Sequence, residues 1–189
     1  TGFDGLNTVL KAINECRAFP EMKVKINAVT MVDYNRDEIC NLADFAAGVG
    51  ATLRFIEMMP LGLGTGFDGY SQDEIMAVLA EAYGPAKTIN DKAGSGPAKY
   101  YSFEGLEGRI GFISPMSHKF CGSCNRIRLT SEGLLRPCLG SDVGIDLRKP
   151  MREGASDEEL AQIIHDGIVN KPEGHCFETT DSLMSKIGG

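Results

Sequence analysis

Residues 23–58 read KVKINAVTMVDYNRDEICNLADFAAGVGATLRFIEM, and the order of patterns within this stretch decides the fold class. Residues 23–30 alternate, with Val24, Ile26 and Ala28 to one side and Lys25 and Asn27 to the other, as a strand requires. Residues 36–49 space their apolar side chains for a helix, and residues 51–58 form a second strand pattern. Upstream, Leu6, Val9, Leu10 and Ile13 recur at helical spacing, with Asp4 placed to cap that helix and Pro20 to end it. Helix, strand, helix, strand at this spacing predicts βα units around a parallel sheet or barrel, an α/β fold.

Strands of a parallel sheet usually carry apolar residues on both faces. Lys25, Asn27 and Arg54 break that rule. Two readings stand: a solvated edge strand, or a polar barrel interior that meets an anionic ligand. In α/β barrels the strands' C-terminal ends carry the site. Met58, Met59 and Pro60 fall at such an end.

Working outward, residues 62–69 are Gly-rich without the spacing of a phosphate loop and read as a linker. Ser71 and Glu74 form a capping box for a helix closed by Gly84 and Pro85. Residues 87–97, rich in Gly, Asp and Lys, read as a flexible loop, and short strands follow at 100–103 and 109–113. A second capping box, Ser156 with Glu159, opens a helix striped by Leu160, Ile163, Ile164 and Ile168, which Lys171-Pro172 stops.

The composition bounds the function. Apolar residues make up 42% of the 189, enough for a real core. A net charge of −7 argues against a general nucleic-acid surface, which needs a basic face. No apolar run is long enough to span a membrane, and no secretory leader is visible. Six cysteines without a framework of even spacings fit a reducing compartment. The chain starts at Thr1 in a loop-like stretch, which reads as a piece of a longer protein.

The chemistry concentrates in residues 120–139, FCGSCNRIRLTSEGLLRPCL. Cys121 and Cys124 are spaced to face one metal centre, and Cys138 follows after thirteen intervening residues. Residues 125–130 alternate, Ser131-Glu132-Gly133 is a turn, and residues 134–138 return. A hairpin there brings Cys138 opposite Arg126, beside Cys124. The same register sets Arg126 and Arg128 on one face, and Arg136 is expected to join them. Like charges so close call for an anion. Thiolates suit zinc and iron–sulfur clusters alike. Zinc needs a fourth ligand, for which His118 and Cys176 are candidates. A [4Fe–4S] cluster sits on three cysteines and leaves one iron open. Cys16 and Cys40 fall in predicted helices and read as packed thiols.

Residues 120–139, the strand RFIEMM at 54–59 and the terminal Gly188-Gly189 together resemble the GTP 3′,8-cyclase family of molybdenum cofactor biosynthesis, across essentially the whole chain. The resemblance implies radical S-adenosylmethionine enzymes with an incomplete TIM-type (α/β) barrel. Residues 1–84 would be the last βα units of that barrel. Residues 85–189 would be a small α+β region that binds a [4Fe–4S] cluster and GTP and ends in the Gly-Gly tail. It implies that Cys121, Cys124 and Cys138 hold the substrate-side cluster. Lys25, Arg54, Arg126, Ile127 and Arg128 would contact GTP, and Met59 would contact S-adenosylmethionine. Gly188 and Gly189 would reach the active site in turnover. In the family, a radical from S-adenosylmethionine, made at a second [4Fe–4S] cluster, removes the C3′ hydrogen of GTP, and the carbon radical closes on C8 of the guanine. The CxxxCxxC motif of that second cluster is absent from this sequence, so the chain resembles the family's C-terminal half and is expected to be inactive alone. The implied setting is the cytoplasm. GTP is the implied substrate, cyclic pyranopterin monophosphate synthase the downstream partner, and a homodimer a further expectation. Two rivals are the auxiliary-cluster region of another radical enzyme and a zinc-binding interaction module.

Overall fold

A computed structural model describes residues 4–90, 96–175 and 177. In chain order the elements are α1 (Leu6–Glu15), β1 (Lys25–Val29), the one-turn α2 (Val32–Asn35), α3 (Ile39–Gly48), β2 (Thr52–Ile56), α4 (Gln72–Tyr83), β3 (Ala86–Ile89), β4 (Lys99–Phe103) and β5 (Leu106–Ile113). After these come β6 (Arg128–Leu129), β7 (Leu134–Arg136), β8 (Ile145–Asp146), α5 (Arg148–Arg152) and α6 (Asp157–Val169). They fall into two compact units. One draws on the described residues up to Met58 and on Asp68–His118, the other on Met59–Phe67 and the described residues from Lys119 onward.

The first unit is a five-stranded mixed sheet in the order β1-β2-β5-β4-β3. β1, β2 and β5 run parallel, and β4 and β3 continue antiparallel. The α/β expectation therefore holds for this unit. Leu53, Phe55, Ile110 and Phe112 point to one face, where Ile39, Ala43 and Ala46 of α3 and Ile75 and Leu79 of α4 cover them. The rings of Phe55 and Phe112 stack at 5.8 Å, and Tyr101 meets Phe112 edge-on at 5.7 Å, geometries that add to plain area burial. Val24, Ile26 and Ala28 pack on the same core. The alternation of β1 thus sends Lys25 and Asn27 to the opposite face.

Several local expectations meet their physical test here. Ser71 and Ser156 each accept a hydrogen bond from the backbone of Glu74 and Glu159, which reach back to the cap nitrogens. Gly84 ends α4 with φ 83°, open to glycine without strain, and the chain passes directly into β3 of the same sheet. The stretch expected as a loop from residue 87 begins as β3, because pairing with β4 supplies hydrogen bonds that no local pattern announces. Asp4 does not cap α1. Gly5 takes the cap position and no side chain bonds there.

The second unit contains a three-stranded antiparallel sheet, β6-β7-β8. Arg128 faces Arg136 and Leu129 faces Leu135, the register of the expected hairpin. Gly133 turns the chain with φ 83°, and a Cβ built on it would lie 2.7 Å from Arg148 Cβ. Thr130 closes the turn, its Oγ1 accepting from Leu134 N at 3.1 Å.

Candidate functional site

In the first unit the polar face of the parallel strands gathers sequence-predicted residues. Register pairs Asn27 with Arg54 and Arg54 with Gly111. Arg54 Nε donates to Asn27 Oδ1 at 2.8 Å. Gly111 makes this possible, since a Cβ there would come within 3.0 Å of Arg54 Cγ and 2.9 Å of the Tyr100 ring. Lys25 is exposed on the same face at the start of β1. Met59, which belongs to the second unit, is half-buried in the loop beyond β2, its carbonyl accepting from Leu61 N at 2.8 Å.

One residue of this unit went unremarked in the sequence. Glu57, just past the end of β2, is buried at 4% exposure. Its carboxylate accepts from Gln72 N at 3.0 Å, Met116 N at 2.8 Å and Ser117 N at 3.0 Å, and also from Ser117 Oγ. Gln72 N opens α4, where the helix dipole favours an anion. Ser114 Oγ donates to Gln72 Oε1 at 2.7 Å, adding a further tie. Glu57 thus fastens the loop after β5 to the end of β2 and the start of α4. A signal was available: Leu53, Phe55 and Glu57 share one phase of the alternation, and that phase is the buried one.

In the second unit a single helical turn, Cys121–Ser123, carries the paired cysteines, with Cys124 N bonded to Cys121 O at 3.1 Å. Cys124 then extends and leads toward β6. Cys138 lies two residues past the end of β7. All three thiols are free and partly buried. Burial holds the Arg128 guanidinium below its ordinary value. The Cys124 and Cys138 thiols oppose that shift, and Arg126 and Arg136 add to it. Arg128 therefore stands within electrostatic reach of both thiols and both other arginines. Arg126 and Ile127 are exposed. Among the described residues no carboxylate pairs with Arg126 or Arg128.

Arg136 departs from the expectation. It is buried, and its guanidinium turns into the next loop, donating to Ser141 O and to Asp142 Oδ1 at 2.9 Å. A nearby carboxylate and carbonyl have captured it, so it supports the loop and does not join a ligand-facing pair. Of the two residues considered as a fourth ligand, His118 bonds to Asp73 at 3.0 Å and Cys176 lies outside the described residues, as do Gly188 and Gly189. The histidine that does approach a thiol is His175, its Nδ1 3.0 Å from Cys121 Sγ. Burial, with Lys119 nearby, holds the His175 imidazole below its ordinary value. Lys171 approaches Cys124 from the same segment. Both contacts join residues far apart in sequence, which is why no spacing announced them.

Among the described residues no three His, Cys, Asp or Glu side chains are set as ligands of one ion. Three free thiols beside two guanidinia that pair with no described carboxylate nonetheless suit, in donor chemistry, a thiolate-bound cluster of net negative charge. Such a cluster takes its thiolates at separate corners, further apart than ligands that share one ion. No helix among the described residues is long and apolar enough to cross a membrane.

The chain thus pairs a mixed α/β unit with a unit that carries three free thiols and two neighbouring arginines. Residues 51–177, more than half the chain, match the family model described as Molybdenum Cofactor Synthesis C, and the chain belongs to that family. It is 44% identical to a GTP 3′,8-cyclase of Clostridium perfringens (strain 13 / Type A), over 97% of this chain and 58% of the relative. It is 41% identical to one of Rhodopseudomonas palustris (strain TIE-1), over 94% of this chain and 52% of the relative. A GTP 3′,8-cyclase of Desulforamulus reducens is 39% identical, over 97% and 58%. The chain thus spans little more than half the length of the relatives it matches.

Proposed function

We propose that this chain is the C-terminal part of a GTP 3′,8-cyclase, and that its second unit is the substrate side of the active site. The observation that carries the reading is the grouping of Cys124, Cys138, Arg126 and Arg128 around one short hairpin. The relatives' shared name supports GTP as the anion that this grouping would meet. Cys121, Cys124 and Cys138 would hold a [4Fe–4S] cluster. Such a cluster, when bound, supplies an iron without a protein ligand, able to fix a base.

The chain's own residues then divide the work. Arg126 and Arg128 offer planar, permanently charged guanidinia suited to bidentate phosphate contact. Arg128, half withdrawn from water, binds an anion more strongly than an exposed cation would. Ile127 between them supplies apolar contact. Lys25 and Arg54 present further cations on the polar sheet face, with Asn27 orienting Arg54. Met59 would contact S-adenosylmethionine, and the first unit would be the last part of an incomplete barrel. Gly188 and Gly189 would enter the site during turnover. Initiation of the radical belongs to residues beyond this chain. The whole protein would be cytoplasmic, act as a monomer or homodimer, and pass its product to cyclic pyranopterin monophosphate synthase.

The contact of His175 with Cys121 favours one second reading, a zinc centre with three cysteines and one histidine. Elemental analysis of the full-length protein, purified without oxygen, separates the two. Iron with acid-labile sulfide is expected, and zinc without them refutes the cluster. In the same preparation Arg126→Ala is expected to weaken GTP binding at least tenfold with cluster content unchanged. Loss of the cluster with GTP affinity intact overturns the assignment of Arg126.

A further inference from the structure

The segment after α6 reads in the sequence only as a helix stop, yet it reaches the thiols. An ammonium has three N–H donors. Lys171 Nζ has three partners in the structure: Cys124 O at 2.8 Å, Arg126 O at 2.8 Å and Cys124 Sγ at 3.4 Å. Its donor capacity is filled by a stretch of three residues, Cys124 to Arg126, that belongs to no helix or strand. That stretch carries a candidate cluster ligand at one end and a candidate GTP contact at the other.

We infer that Lys171 is a positioning residue for the thiolate site. It fixes the Cys124–Arg126 stretch and gives a charge-assisted hydrogen bond to the Cys124 sulfur. The inference rests on the thiolate reading above. Two consequences follow from elementary electrostatics. A backbone held at two carbonyls presents Cys124 in one place, so metal leaves slowly. A positive charge beside a ligand sulfur stabilises the more negative, reduced form of a cluster, so Lys171 raises its reduction potential. A residue that braced the backbone without a charge would do the first and not the second. His175, on the same segment, approaches Cys121, so two of the three thiols are braced from one side of the chain.

The test uses the full-length polypeptide, loaded with iron and sulfide without oxygen. The signal of this site is the part of the spectrum lost in Cys138→Ser. Iron release to bathophenanthroline and the midpoint potential, followed by electron paramagnetic resonance, are measured for the unsubstituted protein, Lys171→Met and Lys171→Arg. Lys171→Met is expected to release iron about 10- to 100-fold faster, the usual range for removing a second partner of a ligand. Its reduced-to-oxidised ratio at fixed potential is expected to fall about tenfold, or about 59 mV for a one-electron couple. Lys171→Arg keeps the charge and is expected to restore the potential. A Lys171→Met protein with an unchanged potential overturns the charge-assisted bond to the sulfur, and one with unchanged release overturns the bracing. Should Lys171→Met not fold, Lys171→Gln keeps a donor without the charge, and an unchanged potential there overturns it equally. If the unsubstituted protein holds zinc, the cluster reading fails by itself. Faster zinc release from Lys171→Met then still upholds the bracing role, and unchanged release refutes it.

Discussion

Replacing Glu57 with Gln keeps the shape of the side chain and reverses half of its hydrogen bonding. Oε1 accepts from Gln72 N and Ser117 Oγ, and Oε2 accepts from Met116 N and Ser117 N. A carboxamide retains one acceptor oxygen and puts an NH2 group where the other oxygen was. Whichever way the amide turns, a backbone N–H meets a donor: Met116 N and Ser117 N in one orientation, and Gln72 N alone in the other, where the Ser117 hydroxyl can turn to accept. If the oxygen stays with Gln72 and Ser117 Oγ, the N–H groups of Met116 and Ser117 lose their partner. An abandoned buried donor costs about 1–3 kcal/mol. The other orientation strands Gln72 N alone and is the cheaper, so about 1–3 kcal/mol is expected for Glu57→Gln. Glu57→Ala abandons all four donors and opens a cavity, and about 4–5 kcal/mol is expected, at the upper edge of what single substitutions do. The assay is equilibrium denaturant unfolding, read as a shift in midpoint at constant slope. Hydrogen exchange at Met116 and Ser117 should accelerate in step. A Glu57→Gln protein within about 0.5 kcal/mol of the unsubstituted one, with those amides still protected, refutes the clamp.

Three other outcomes follow from the same structure. Gly133→Ala combines a positive φ with the approach of Arg148 Cβ at 2.7 Å, so a loss of about 1–3 kcal/mol in thermal unfolding is expected. Ser71→Ala removes the cap of α4 and should cost about 1 kcal/mol. The hydrogen bonds from Ser71 hold the Glu74 carboxyl below its ordinary value, so the stabilisation is full above the carboxylate range and fades as pH falls below about 4. The acid side of the stability profile should accordingly be flatter in Ser71→Ala, and parallel profiles would count against the capping box. Arg136→Met removes the guanidinium bonded to Ser141 O and Asp142 and should cost about 1–3 kcal/mol while leaving metal content unchanged, measured by unfolding and elemental analysis.

The parts of the fold legible in the sequence are those whose cause is local. The alternation of residues 23–30 and 51–58 produces β1 and β2, and the two capping boxes produce the starts of α4 and α6. β3 and α5 were not legible. Ala86-Lys87-Thr88-Ile89 is too short and too polar to announce a strand, and it is ordered by pairing with β4. Arg148–Arg152 has no apolar stripe, and its proline, tolerated in a first turn, reads as a breaker. The change of pattern after Gly84 marks a switch from parallel to antiparallel pairing within one sheet. At the site, the thiols and the hairpin register could be read from spacing. The direction of the Arg136 side chain could not, because parity fixes the face of a strand and says nothing of a carboxylate waiting in the next loop.

That capture of Arg136 sharpens the electrostatic argument. The chain as a whole carries a net charge of −7, so acidic partners for arginine are plentiful in composition. The structure spends them unevenly. Asp142 neutralises Arg136, and backbone carbonyls with a thiol saturate Lys171. Both of these cations are used to hold loops. Arg126 and Arg128 are left in mutual repulsion beside two thiols, and Arg128 is also pushed down by its own burial. Two guanidinia kept together without a described carboxylate form an unfavourable arrangement that a bound anion would relieve. Thiols and guanidinia stand at one place, the first a donor set that would suit a metal centre and the second one that would suit phosphate. Under the function proposed above, the cysteines and the two arginines would serve one ligand, while Arg136 and Lys171 hold the loops that carry them.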